Sequence, residues 1–217
     1  MIINAVLAVI AVFVSLIAHE IAHGYVAMKL GDDTAKNQGR LSFNPLKHID
    51  LFGTIILPLL LLFSKIGFVF GWAKPVPIDY TKLKTTRNIV LTSSAGILAN
   101  IALAVISAVL LKLILLLPKS YILGILAMFC FQMIFINLIL AVFNILPIPP
   151  LDGSKILLSW SNNRWIKKYF ALERYGLALV VILMFVVPAV LLFFDIKFNP
   201  LVAFVKTITS WIMKFIV

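Results

Sequence analysis

Long apolar stretches separated by short polar connections organise this chain. Residues 1–28 read as a first membrane helix, uncharged until Glu20, and residues 29–50 form a polar connection rich in Gly, Asn and charge. Residues 51–62 are apolar but too short to cross comfortably, since a full span takes about 20 residues. Ser64, Lys65, Gly67 and Gly71 then interrupt the chain ahead of the run Lys74-Pro75-Val76-Pro77, which predicts a re-entrant or β-hairpin segment. Irregular backbone is tolerated at membrane depth only where it is buried in protein or lines a wet cavity, so this element hints at a site. Residues 88–111 and 121–146 are each long enough to span, and the short turn with Lys112, Pro118 and Lys119 makes them an antiparallel pair. A proline-rich break at 147–150 leads into Leu151-Asp152-Gly153, a short helical stretch and a basic segment holding Arg164, Lys167, Lys168 and Arg174. Residues 175–194 span again, and 201–217 make a last, tilted or partial, segment.

The expected fold is therefore an all-α polytopic membrane protein of about five to six membrane segments with a short re-entrant or β-hairpin element. One membrane-embedded domain covers residues 1–217, with its core at about 1–160 and C-terminal membrane segments at 161–217. Composition agrees: 63% of residues are hydrophobic and 12% charged, against roughly half and a quarter in soluble globular proteins. The N-terminus lacks the charged start and small-residue cleavage site of a signal peptide, so the first apolar segment is expected to be kept.

A net charge of +11 raises nucleic acid as a partner, but the Lys and Arg residues sit singly in short loops and form no stripe on a polar face. Nucleic acid is excluded, and membrane topology accounts for the charge. Basic-residue counting puts the loop with Lys74, Lys82, Lys84 and Arg87, and the one from Arg164 to Arg174, on the cytoplasmic side. His19 to His23 then lie in the inner half of the first helix, roughly 10 Å from its cytoplasmic end, and Asp152 follows a helix that also runs inward. Short loops fit a prokaryotic inner membrane. The single Cys130 sits in an apolar run and offers no disulfide framework or CxxC metal pair.

The chemistry begins at His19-Glu20-Ile21-Ala22-His23, an HExxH pattern. Histidines four apart share one face of a helix, so two imidazole nitrogens can meet one metal, while the intervening glutamate stands beside that face as a general base. The chain holds only three His and two Glu, so chance is a poor source of the pattern. Ionisable groups inside a span also cost several kcal/mol and usually mark function. A catalytic zinc needs a third protein ligand and an open position. Candidates are Asp152, His48, Asp50, Asp195 and Glu173. Asp152 stands out because it follows a proline-rich break at the end of a span, where unwound backbone lets a short carboxylate turn inward. The competing reading of Asp152 is a helix N-cap.

These residues carry a resemblance. Asn144 to Gly153 is similar to the NxxPxxxLDG motif of the site-2 protease family of intramembrane metalloproteases, and His19 to His23 resembles that family's HExxH. The GxxxN element Gly96 to Asn100, the run from Gly71 to Pro77, and residues 44–50 resemble the family as well. The resemblance covers about residues 10–160. It implies one zinc ion per chain held by His19, His23 and Asp152, with Glu20 activating water and Asn144 as a candidate for oxyanion stabilisation or substrate positioning. The competing role for Asn144 is helix-to-helix gluing, and Gly96 and Asn100 read as plain small-residue packing. His48, in a polar loop, reads as a hydrogen-bonding residue, with Asp50 as one partner. The segment 51–77 resembles the family's membrane hairpin, which would hold an unwound substrate.

The function implied is zinc-dependent intramembrane hydrolysis of peptide bonds in membrane-anchored proteins or peptides, as regulated proteolysis or remnant clearance. In so small a chain substrate selection is expected to come from a regulatory membrane partner, prior cleavage by another protease, or the membrane part itself, and a homo-oligomer is a further expected assembly. The alternative is a membrane zinc-binding protein or transporter, but a transporter should line several spans with His, Asp or Glu and often repeats its halves. Another HExxH protease taking Glu173 as third ligand is the remaining reading.

Overall fold

The computed structural model describes residues 2–64, 71–160, 175–196 and 198–216. Helix α1 (Ile2–Lys29) is followed by the short α2 (Thr34–Asn37), a 3-10 turn (Pro45–His48), a π-helical stretch (Leu51–Ile56) and α3 (Leu57–Ser64). Residues 71–85, with a turn at 80–82, lead into the two longest later helices, α4 (Thr86–Leu115) and α5 (Tyr121–Asn144), and then α6 (Asp152–Trp160). The chain closes with α7 (Gly176–Val181), a π turn (Ile182–Val186), α8 (Val187–Phe193) and α9 (Pro200–Ile216). Among the described residues there is no strand.

Local chemistry sets the boundaries. Helix α1 ends where Gly31 adopts φ 106°, a left-handed conformation that glycine takes without a Cβ penalty, and the Asp32 N–H closes back on the Ala27 carbonyl at 2.9 Å. Helix α4 starts at Thr85, whose hydroxyl oxygen accepts from the Asn88 N–H at 3.1 Å. Ser120 does the same for α5 through Leu123 at 3.2 Å. Such caps satisfy donors that the first turn otherwise leaves unpaired.

Among the described residues three helices, α1, α4 and α5, are long and apolar enough to cross a membrane. Their 24 to 30 residues extend about 36–45 Å, more than the ~30 Å of a hydrocarbon core. Apolar stretches at Leu51–Leu61 and Ala178–Phe193 are shorter. The three long helices pack together, and α4 also meets α6. Between α4 and α5 the contact is a dry seam of Ala104, Ala108, Leu111, Cys130, Ile134 and Leu138, with Ile212 and Met213 of α9 against it. The outward residues are as apolar as the buried ones: Ile106 and Val109 are each 54% exposed. A soluble protein of this size does not display such a surface, so the exposed faces belong in lipid and the chain is an integral membrane protein.

The expected spans agree with the folded helices to within a few residues at 1–28, 88–111 and 121–146. The hairpin expectation falls partly on residues 65–70, including Lys65 and Gly67, which lie outside the described residues. The part that is described, 71–79, runs extended without strand pairing. The basic segment with Arg164, Lys167, Lys168 and Arg174 also lies outside the described residues.

Candidate metal centre

One turn separates His19 from His23 on α1, and both side chains are buried, 5% exposed each. They face α4 because Gly96 there has no side chain to keep them out: a Cβ on Gly96 would stand 2.5 Å from His19 Cε1 and 2.7 Å from its Nδ1. The stripe continues along α4 at helical spacing, with Thr92 below and Asn100 above.

The protonation of each imidazole follows from its partners. Asn137 donates through Nδ2 to the Met133 carbonyl at 2.8 Å, which turns its Oδ1 toward Asn100, and Asn100 Nδ2 donates to that oxygen at 2.8 Å. The same Asn100 nitrogen donates to the Ser15 carbonyl at 3.3 Å. Asn100 Oδ1 is thereby left facing His19 Nδ1 at 2.6 Å, where it can only accept. His23 Nδ1 meets the Thr92 backbone carbonyl at 2.7 Å, another pure acceptor. Both Nδ1 atoms therefore carry the proton, so that in the neutral imidazole each Nε2 presents a lone pair, the arrangement of histidines oriented for a metal.

The two Nε2 atoms are 3.0 Å apart, and Asp152 Oδ2 lies 3.2 Å from that of His19 and 3.0 Å from that of His23. Asp152, 8% exposed, stands at the first residue of α6, where the break at 147–150 hands it to the histidines. Three lone-pair acceptors converging in a buried space repel one another unless a cation shares it. The mutual spacings approach the ~3.3 Å edge of a tetrahedron with ~2.0–2.1 Å bonds, the zinc geometry for His and carboxylate ligands. Donor type, count and spacing thus fit a zinc ion. Among the described residues this is the only group of three or more His, Cys, Asp or Glu that could hold a metal.

The other expected residues have different stations. Glu20 is half-buried beside the cluster, and its Oε2 accepts the Val76 N–H at 2.7 Å. Asn144, also half-buried, donates to the Leu140 carbonyl of its own helix at 3.0 Å. His48 is 1% exposed and directs Nε2 to the Ser42 carbonyl at 2.7 Å, away from the cluster, while its Nδ1 is buried without a partner. Asp50 caps the π-helical stretch through the Gly53 N–H at 2.6 Å and leaves His48 alone. Asp195 is exposed at the end of α8, and Glu173 lies outside the described residues. Sequence reasoning gave Gly96 and Asn100 a packing role and did not single out Asn137. The available signal was a pair of amides in the middle of apolar spans, where unpaired polar groups are costly.

Outside the membrane helices, Asp32 is fully buried at the end of α1. Burial pushes its carboxyl up, but bonds from the Thr34 hydroxyl, the Asp79 and Thr34 N–H groups and Lys82 outweigh it and hold the group below its ordinary range. The Asp79 N–H bond, 2.7 Å, ties the extended segment to α1.

Comparison with known proteins points the same way. The model of peptidase family M50 matches residues 117–187. Three relatives share the name "Putative zinc metalloprotease". YwhC of Bacillus subtilis is 42% identical over 188 residues, 83% of this chain and 80% of its own. MJ0611 of Methanocaldococcus jannaschii is 33% identical over 160 residues, 74% of this chain and 73% of its own. Rip2 of Mycolicibacterium smegmatis is 31% identical over 179 residues, 81% of this chain and 64% of its own. No solved structure matches. Since YwhC is 42% identical over 83% of this chain, the chain belongs to peptidase family M50, the site-2 protease family.

Proposed function

We propose that His19, His23 and Asp152 hold the zinc of this membrane metallopeptidase, and that Glu20 is the general base in hydrolysis of peptide bonds of membrane-anchored proteins or peptides. The observation that carries this reading is the convergence of three lone pairs at 3.0–3.2 Å with both Nδ1 protons spoken for. A bound zinc polarises the scissile carbonyl and acidifies water. Around it, the chain's own groups do the rest. Asn100 and Thr92 keep the imidazoles turned with Nε2 inward; the α1, α4 and α5 walls exclude bulk water. Glu20 takes a proton from the attacking water and returns one to the leaving amine. Asn144 is a substrate-positioning or oxyanion residue: its amide spends one N–H on the Leu140 carbonyl and has a second to offer.

Residues 1–217 form one membrane-embedded domain, with about 1–160 as the catalytic core and 161–217 as added membrane segments. In this reading the chain has five or six membrane segments, the stretch 51–77 being re-entrant, and lies in a prokaryotic inner membrane with the site nearer the cytoplasm. The basic loops at 74–87 and 164–174 support that orientation. Substrate choice comes from a regulatory membrane partner, earlier cleavage by another protease, or the membrane part of the chain itself.

Glu20→Gln separates binding from chemistry. It should keep zinc and stop hydrolysis, so comparative membrane proteomics of cells carrying the wild-type and variant chains should show single-span fragments accumulating with the variant. An unchanged set of membrane peptides counts against proteolysis.

A further inference from the structure

The extended segment 71–79 is pinned to the rest of the chain along its length. The Trp72 N–H donates to the Gly53 carbonyl at 3.1 Å and the Lys74 N–H to the His48 carbonyl at 2.8 Å. At the far end Asp79 is held by Asp32 at 2.7 Å. Pro75 and Pro77 have no N–H to offer and a fixed φ, so within Pro75-Val76-Pro77 the amide of Val76 is the one backbone donor. It is given to Glu20 Oε2 at 2.7 Å. The Val76 side chain is buried and faces Gly24, one turn beyond Glu20: a Cβ on Gly24 would meet Val76 Cγ1 at 2.7 Å.

Two carbonyls immediately before that amide are gripped from outside. Arg40 Nη2 donates to the Lys74 carbonyl at 2.9 Å and to the Pro75 carbonyl at 3.2 Å. Lys74 and Pro75 are themselves exposed, so apart from the Lys74 N–H bond to His48 it is Arg40 that fixes the direction of these two carbonyls. We propose that Arg40 is a positioning residue for proteolysis: by clamping the Lys74 and Pro75 carbonyls it presents the Val76 N–H to Glu20 and selects the orientation of the base. The inference rests on Glu20 being that base. A glutamate has three side-chain torsions, each with several staggered or broad wells, and the amide bond selects one setting. It engages Oε2 and leaves Oε1, which has no partner among the described residues, for proton transfer.

The test uses full-length protein in lipid nanodiscs with dye-quenched unfolded casein as a generic extended substrate. Arg40→Met should lower kcat about 10- to 100-fold, the scale of an ångström-size misplacement of a reacting group, with KM and zinc content unchanged. Arg40→Lys, which keeps one charged donor, should recover part of the loss. Replacing Val76 by its α-hydroxy acid, which removes the N–H and keeps the side chain, should reproduce the loss and add little to Arg40→Met. Isotope-edited infrared spectroscopy of the Glu20 carboxylate in the zinc-loaded protein reads the same bond without substrate, and its band should shift in both variants. An unshifted band, an unchanged kcat, or an effect confined to KM would overturn the proposal, the last by making the segment a substrate-holding strand. The two readings fail separately: an active Glu20→Gln removes Glu20 as the base, whereas an inactive Glu20→Gln beside a fully active Val76 hydroxy-acid variant removes only the role of Arg40.

Discussion

Adding one methyl group at Gly96 should disable the centre without replacing any proposed ligand. In Gly96→Ala the new Cβ meets His19 Cε1 at 2.5 Å, and His23 Nε2 is also within contact. Reaching the 3.4 Å of an ordinary contact requires the His19 ring to retreat by about 0.9 Å, and His23 Nε2, which stands nearer still, by more, either as rings or by α1 as a whole. Both routes are resisted, because the Nδ1 atoms are held at 2.6 and 2.7 Å by Asn100 and Thr92. Misplacement by about 1 Å costs on the order of 100-fold in rate, and zinc affinity should fall by about 10- to 100-fold as ligand orientation is lost. The built-in control is Gly124→Ala on α5, where a Cβ meets nothing within 4 Å. There the better helix propensity of alanine should leave activity unchanged and add up to about 1 kcal/mol of stability. Both variants would be purified in detergent, titrated with buffered zinc, assayed on an unfolded polypeptide and melted. Gly96→Ala with wild-type zinc affinity and rate would refute the reasoning, since the rings would then have free room toward α4.

Asn100→Ala removes the acceptor of the His19 Nδ1 proton and the donor to Asn137, leaving buried polar groups unpaired at about 1–3 kcal/mol each; a lowered melting temperature together with about 10- to 100-fold weaker zinc binding is expected, and intact zinc affinity would make Asn100 a packing residue. Asp152→Ala should abolish zinc retention measured by elemental analysis, whereas Glu173→Ala should not; the reverse result would move the third ligand to Glu173. Asp32→Ala orphans the Thr34 and Asp79 N–H groups, and limited proteolysis should cut the segment 71–82 faster than in the wild type. Because the Asp32 carboxyl is held below its ordinary range, its contribution is complete above the unfolded-state value of about 3.9 and fades as pH falls through the lower folded value. Protease sensitivity of that segment should then be flat from about pH 5 to 8 and rise only in stronger acid.

Much was legible in the sequence because membrane chemistry writes itself in composition. Long apolar stretches predict α1, α4 and α5, since an unpaired backbone cannot face lipid and helices satisfy it internally. His19, Glu20 and His23 declare themselves by spacing alone, as the helix period puts the two histidines on one face. Asp152 could be ranked but not chosen by the sequence, because a carboxylate after a proline break caps a helix as readily as it binds a metal. Tertiary packing brings Asp152 within 3.0 Å of His23 across 129 residues of chain, which is the observation that favours the proposed ligand role. It also decided what no local pattern carries: that Gly96 makes room for both rings, that an Asn137–Asn100 relay sets the His19 tautomer, and that a backbone amide between two prolines reaches Glu20. Those roles depend on which helix faces sit together, and periodicity along one helix carries no information about its neighbour.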